Sequence, residues 1–235
     1  MAGYHQLVFT ITLALSLSFS SNSIAENKQP VFSHSNAQIE NLPPKAIKKN
    51  KRSVNINYGQ LRSGRIQLNL LDGLNVEAVR SRHVTYKDKG EVWIGKIADK
   101  ADSQVTLARV GKFMHGTIRL GEQLYKILPG KGQSHVIVEV DSSNPYPEQQ
   151  PKPAVGQLDI AGDALIQGDA GTTTSALETG SIVDVMVAYT PAAFNATSNI
   201  ESLILLAVEE TNQAYLNSGV STQLRLVHTL PVNYQ

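Results

Sequence analysis

The chain has 235 residues, of which 41% are hydrophobic, 17% charged and none cysteine. That length suits one large domain or two small ones, and the apolar fraction excludes wholesale disorder. The missing cysteine excludes disulfides, thiolate metal sites, iron–sulfur clusters and cysteine nucleophiles together.

The formal net charge of +1 hides an asymmetry. Residues 26–52 carry 6 Lys/Arg against 2 Asp/Glu, and residues 53–140 carry 13 against 8. Residues 141–181 carry 1 against 6, and residues 182–235 carry 1 against 4. A basic front and an acidic back point to parts with separate jobs.

Residues 7–20, LVFTITLALSLSFS, form an uncharged apolar run. Ser23 and Ala25 follow as the small residues a signal peptidase reads. Residues 1–25 are therefore read as a signal peptide cleaved near Ala25, which makes the chain secreted or periplasmic. The leading hexapeptide departs from the pattern, because it has His5 but no Lys or Arg. No later run approaches the ~20 apolar residues of a spanning helix, so no stable membrane anchor is expected.

Residues 26–52 read as a flexible basic leader, with Pro30, Pro43-Pro44 and the cluster Lys48-Lys49-Asn50-Lys51-Arg52. The cluster is short and lacks interleaved aromatics, so no nucleic-acid partner is expected. Residues 53–140 alternate apolar and polar side chains in runs starting near Arg65, Asn75, Glu91, Gln104, Phe113, Gln123 and Ser134. Strict alternation predicts an antiparallel sheet with one face inward. Residues 141–181 hold Pro145, Pro147, Pro151 and Pro153 and then a Gly/Thr-rich stretch, which reads as a linker.

Residues 182–235 change character. Ile182–Tyr189 is nearly all apolar, as in a strand buried on both faces. Ser198-Asn199-Ile200-Glu201 reads as a capping box with Ser198 as the cap. Ile200, Leu203, Ile204, Ala207, Val208 and Thr211 then recur at helical spacing, and Gly219 is the expected stop. Thr222–His228 resumes strand alternation.

Val183-Asp184-Val185-Met186-Val187-Ala188-Tyr189-Thr190-Pro191 followed by Ala207-Val208-Glu209-Glu210-Thr211-Asn212-Gln213-Ala214-Tyr215 resembles the opening of a secreted bacterial metzincin. The resemblance is to reprolysin-like zinc metallopeptidases, including the peptidyl-Asp metallopeptidases. Trp93-Ile94-Gly95 and His115–Gly121 with Tyr125 resemble the propeptide that precedes such domains. The fold class expected from the residues and the resemblance together is α+β. It pairs an antiparallel β-rich propeptide domain at 53–140 with an incomplete α/β metzincin-type strand–helix–strand segment at 182–235.

The resemblance also implies a chemistry that this sequence lacks. The family's zinc site is H-E-x-x-H-x-x-G-x-x-H, three imidazoles around the metal and a Glu that activates its water. The six histidines here are His5, His34, His83, His115, His135 and His228. No two lie within four positions, and none is followed by Glu. No catalytic, cofactor-binding or metal residue is therefore assigned, and zinc is expected only in a full-length relative. Glu209-Glu210 diverge on a helix and make no acid/base dyad.

The expected function is the N-terminal fragment of an exported zinc metalloendopeptidase zymogen, inactive as it stands. Its expected partner is its own or a related catalytic domain, with protein substrates in the full-length form. Two other classes stay open: a secreted propeptide-like inhibitor or binding module, and an envelope-associated β protein without catalysis.

Overall fold

The computed structural model describes residues 29–38, 46–71, 73–87, 89–141 and 181–233. The signal peptide read at 1–25 and nearly all of the linker read at 141–181 lie outside the described residues.

The alternating runs join into one sheet. Its strands are β1 (Phe32–His34), β2 (Ala46–Ile56), β3 (Arg65–Asn69), β4 (Asn75–Tyr86), β5 (Gly90–Ile97), β6 (Ser103–Val110), β7 (Phe113–Leu120), β8 (Gln123–Pro129) and β9 (His135–Val140). Each pairs antiparallel with its neighbours in the order β1-β2-β9-β8-β7-β6-β5-β4-β3. The ends of the sheet then meet. Val31 N–H donates to the Gln67 carbonyl of β3 (2.9 Å), and Phe32 N–H donates to Asn69 Oδ1 (3.3 Å). The result is a nearly closed barrel, which leaves few unpaired edges.

Period-two alternation decides what fills it. Trp93, Leu107, Met114, Ile118, Tyr125 and Ile137 point inward, and each is at most 1% exposed. A 3-10 turn at Tyr58–Arg62 inserts Leu61 into the same core. The Trp93 indole N–H donates to the Ser63 carbonyl (3.2 Å), so the largest buried ring carries no unmet donor.

Two further strands, β10 (Ile182–Tyr189) and β11 (Gln223–Pro231), form a separate parallel pair. Between them run α1 (Pro191–Asn195) and α2 (Ile200–Asn217). Helix α2 lies between the ribbon and the outer face of the barrel. Ile200, Ile204, Leu205, Leu206 and Val208 share one apolar cluster with Val92, Ile94 and Ala108 of the barrel and Leu226 of β11.

The expected α+β class is corrected by this arrangement. The molecule is mostly β, dominated by the nine-stranded barrel, and the strand–helix–strand segment builds no layered α/β unit of its own. A flanked sheet needs more than two strands, so the apolar stripe of α2 is buried largely on the barrel instead. Strand β10, expected to be buried on both faces, is open: Ile182 is 61% and Met186 58% exposed.

The leader read at 26–52 also differs. Phe32–His34 and Ala46–Ile56 are strands, and the basic run is held by antiparallel pairing of Lys51 with Val138 and Arg52 with Ile137. Backbone pairing to β9 is a long-range contact that charge and missing periodicity do not report. The cap of α2 moves by one residue. Asn199 is the N-cap, its Oδ1 accepting from Ser202 N–H (2.8 Å).

Candidate functional site

The candidate functional surface is the junction between barrel and helix. Helix α2 is locally complete at both ends. Asn199 caps its start. Gly219, at φ 72°, lets Val220 N–H reach the Tyr215 carbonyl (2.9 Å) and Gly219 N–H reach the Leu216 carbonyl (3.2 Å). Those are the paired hydrogen bonds of a Schellman stop. Asn212, 3% exposed, then clasps β11: its Oδ1 accepts from Leu224 N–H (2.7 Å), and its Nδ2 donates to the Leu224 carbonyl (3.0 Å).

Two other polar side chains of α2 face the barrel. Glu209 is 2% exposed. One of its oxygens accepts from the Arg82 guanidinium, and the other accepts from Tyr86 O–H (2.6 Å). Both carboxylate oxygens are thus met by β4, as a buried charge requires. Burial drives the Tyr86 phenol above its ordinary range, helped by its bond to Glu209 and the charge of that carboxylate, with Arg82 opposing.

One side of the helix start carries the second cluster. His115 of β7, 3% exposed, bonds Ser202 Oγ through Nδ1 (2.8 Å) and Thr197 Oγ1 through Nε2 (3.1 Å). The Ser202 hydroxyl donates to the Asn199 carbonyl (3.2 Å). Its oxygen is therefore the acceptor for His115 Nδ1–H, and Nε2 accepts from Thr197. This arrangement suits a neutral ring. Burial, then the charges of His135 and Lys126, lowers His115 from the ordinary 6.5 to about 4.

Close approach is needed here as well. A Cβ on Gly90 would fall 2.2 Å from the Arg109 carbonyl and 3.1 Å from Leu205 Cδ1. A side chain at 90 would thus strain the β4–β5 turn and crowd the helix. Beside His115 opens a cleft of about 460 Å³, lined by Pro129, Gly130, Lys131, Phe194, Asn195 and Thr197. Among the described residues, no group of three or more His, Asp or Glu side chains is placed to hold a metal ion.

The remaining histidines are dispersed. His34 bonds Asn36 (2.9 Å), and His83 bonds Glu91 (3.1 Å). His135 accepts from Met114 N–H (3.1 Å), and burial lowers it to about 4, with the Gln133 backbone opposing. His228 is exposed on β11, and His5 lies outside the described residues. Glu210, adjacent to Glu209, borders a different cleft with Lys126 and Arg119. The pairing of Glu209 with Arg82 and Tyr86 was not read from the sequence. Its signal was present: Ser202, Glu209 and Asn212 recur at spacings of seven and three, inside the face that holds Leu205 and Val208.

The chain is similar over much of its length to three bacterial proteins, each named peptidyl-Asp metalloendopeptidase. Two come from Stenotrophomonas maltophilia. That of strain R551-3 is 34% identical over 66% of this chain, and that of strain K279a is 32% identical over 69%. The third, from Xanthomonas campestris pv. campestris, is 27% identical over 79%. A match to two thirds of the chain must include the middle strands β5–β9 wherever it begins, so the likeness is not confined to the helical segment. It spans 40–47% of the relatives' own length, less than half of each. No protein-family profile matches the chain, and no solved structure matches it. These relatives support a metallopeptidase relationship.

Proposed function

We propose that this stretch of chain is the pro-region and the opening catalytic elements of an exported zinc metalloendopeptidase of the reprolysin-like, metzincin kind. In this reading the barrel is the propeptide and β10, α2 and β11 are the elements it masks. The observation that carries the reading is the burial of α2 on the barrel in a chain related to proteins named metalloendopeptidase.

Chemistry follows from the donor set. Hydrolysis of a peptide bond by a zinc-activated water needs three ligands and a base. Among the described residues the dispersed histidines supply no such group, so the ligands would belong to sequence of the relatives' length beyond this stretch. The chain's own contribution is to hold α2 and exclude water from its apolar face. With no cysteine, a thiolate cannot cap the zinc, and latency would be steric or would use an oxygen or imidazole ligand. Export follows from the apolar run at 7–20, and protein substrates from the relatives' name.

The test is a chimera. Residues 1–233 of this chain are joined to the portion of the Stenotrophomonas maltophilia R551-3 relative that follows the matched stretch. A latent, zinc-loaded protein that digests casein only after cleavage within 142–180 and removal of the released barrel is the expected result. A folded chimera that is fully active uncut would overturn the masking role. Casein digestion with stoichiometric zinc by the present chain alone would overturn the whole reading.

A further inference from the structure

Among the described residues the barrel and the helical segment belong to separate sheets. The barrel's strands pair in one nearly closed sheet, and β10 and β11 form a second sheet with no ladder to the first. Helix α2 is capped by its own residues, and its buried Asn212 is met by β11. Side chains make the junction: an apolar patch, the Glu209–Arg82–Tyr86 cluster, and the His115–Ser202–Thr197 cluster. Parts joined in this way resemble a docked complex more than a single core.

We infer that the outer face of β4–β7 is a recognition surface for an amphipathic helix carrying Ser and Glu seven residues apart, and that residues 181–233 remain bound there after the chain between 142 and 180 is cut.

Three observations support that occupant. Seven residues are nearly two helical turns, so Ser202 and Glu209 project from one face, with Leu205, which is fully buried, between them. Each meets a partner already placed by the barrel, and the partners differ in kind: a neutral imidazole for Ser202, a guanidinium with a phenol for Glu209. A helix with the polar positions exchanged would leave a carboxylate against His115 and a hydroxyl against Arg82. Charge also agrees, since residues 53–140 carry a basic surplus and residues 182–235 an acidic one, and Arg82 meets Glu209 across the junction. That attraction is screened beyond about 8–10 Å at ordinary salt, so selectivity rests on the buried pair.

This inference stands on the junction alone and does not need the peptidase reading. Its test measures association instead of catalysis, so the two can fail separately. A recognition sequence for a site-specific protease is placed within 142–180 of the full chain, which is then cut at neutral pH and run on a sizing column. The two pieces are expected to co-elute. Glu209→Lys sets a cation against Arg82 and should weaken the complex on the order of 30-fold or more, so the pieces separate. Trp93 fluorescence of the cut variant should stay native, which shows that the barrel is intact. Separation of the unmutated pieces would overturn the inference, as would co-elution of the Glu209→Lys pieces at unchanged affinity.

Discussion

The barrel interior and the helix–barrel junction bury similar residues by different means. Inside the barrel, Trp93, Tyr125 and the branched aliphatics around them are held by a ring of backbone pairing. At the junction, an apolar patch of comparable chemistry is interrupted by a buried carboxylate and a buried imidazole. The first is a core that the barrel cannot exist without. The second is a contact whose polar residues add little net stability but penalise a wrong partner, because removing one leaves the other buried and unmet.

Substitutions should separate the two. Trp93→Ala removes the largest interior ring and its bond to Ser63. It should cost roughly 3–5 kcal/mol and lower the urea midpoint of the whole chain. Leu205→Ala, at a fully buried junction position, should cost roughly 2–4 kcal/mol, but the loss should fall on α2. Amide exchange across 200–217 should quicken while that of β5–β9 holds.

Acid sharpens the same contrast. His115 and His135 both have pKa values lowered from 6.5 to about 4. Between those values the unfolded chain binds protons that the folded chain does not. Stability is therefore full above pH 6.5 and is lost as pH falls toward 4, by up to ~3 kcal/mol for each ring. His115 touches the helix and His135 does not, so His115→Asn should flatten the acid dependence of α2 protection in particular.

Smaller effects follow. Glu209→Gln keeps the shape and removes the charge, and should cost about 1–2 kcal/mol of α2 protection, less than Leu205→Ala. Arg225→Ala breaks the exposed pair with Asp184 between β10 and β11 (2.6 and 2.8 Å). It should leave the urea midpoint unchanged, since exposed pairs contribute little.

How much of this could be read in advance depended on distance along the chain. The strands starting near Arg65, Asn75, Glu91, Gln104, Phe113, Gln123 and His135 are local alternations closed by short turns, and period two finds them. Strand β2 escaped because its backbone partner β9 is more than eighty residues away and its own residues are largely Lys, Arg, Asn and Ser. In β4, which runs on to Tyr86, Arg82 and His83 find their partners Glu209 and Glu91 only in the folded chain. The strand–helix–strand order of 182–231 was legible in its periodicities. Its placement was not, because a sequence pattern says that a stripe will be buried and not against what.

The most direct test of the central claim, that the barrel holds α2, is hydrogen exchange on the full chain at neutral pH with and without Glu209→Lys. The account predicts slow exchange at 204–209 in the unmutated chain, and fast exchange there in the variant while β5–β9 stay protected. Fast exchange at 204–209 in the unmutated chain, or equal protection in both, would contradict it.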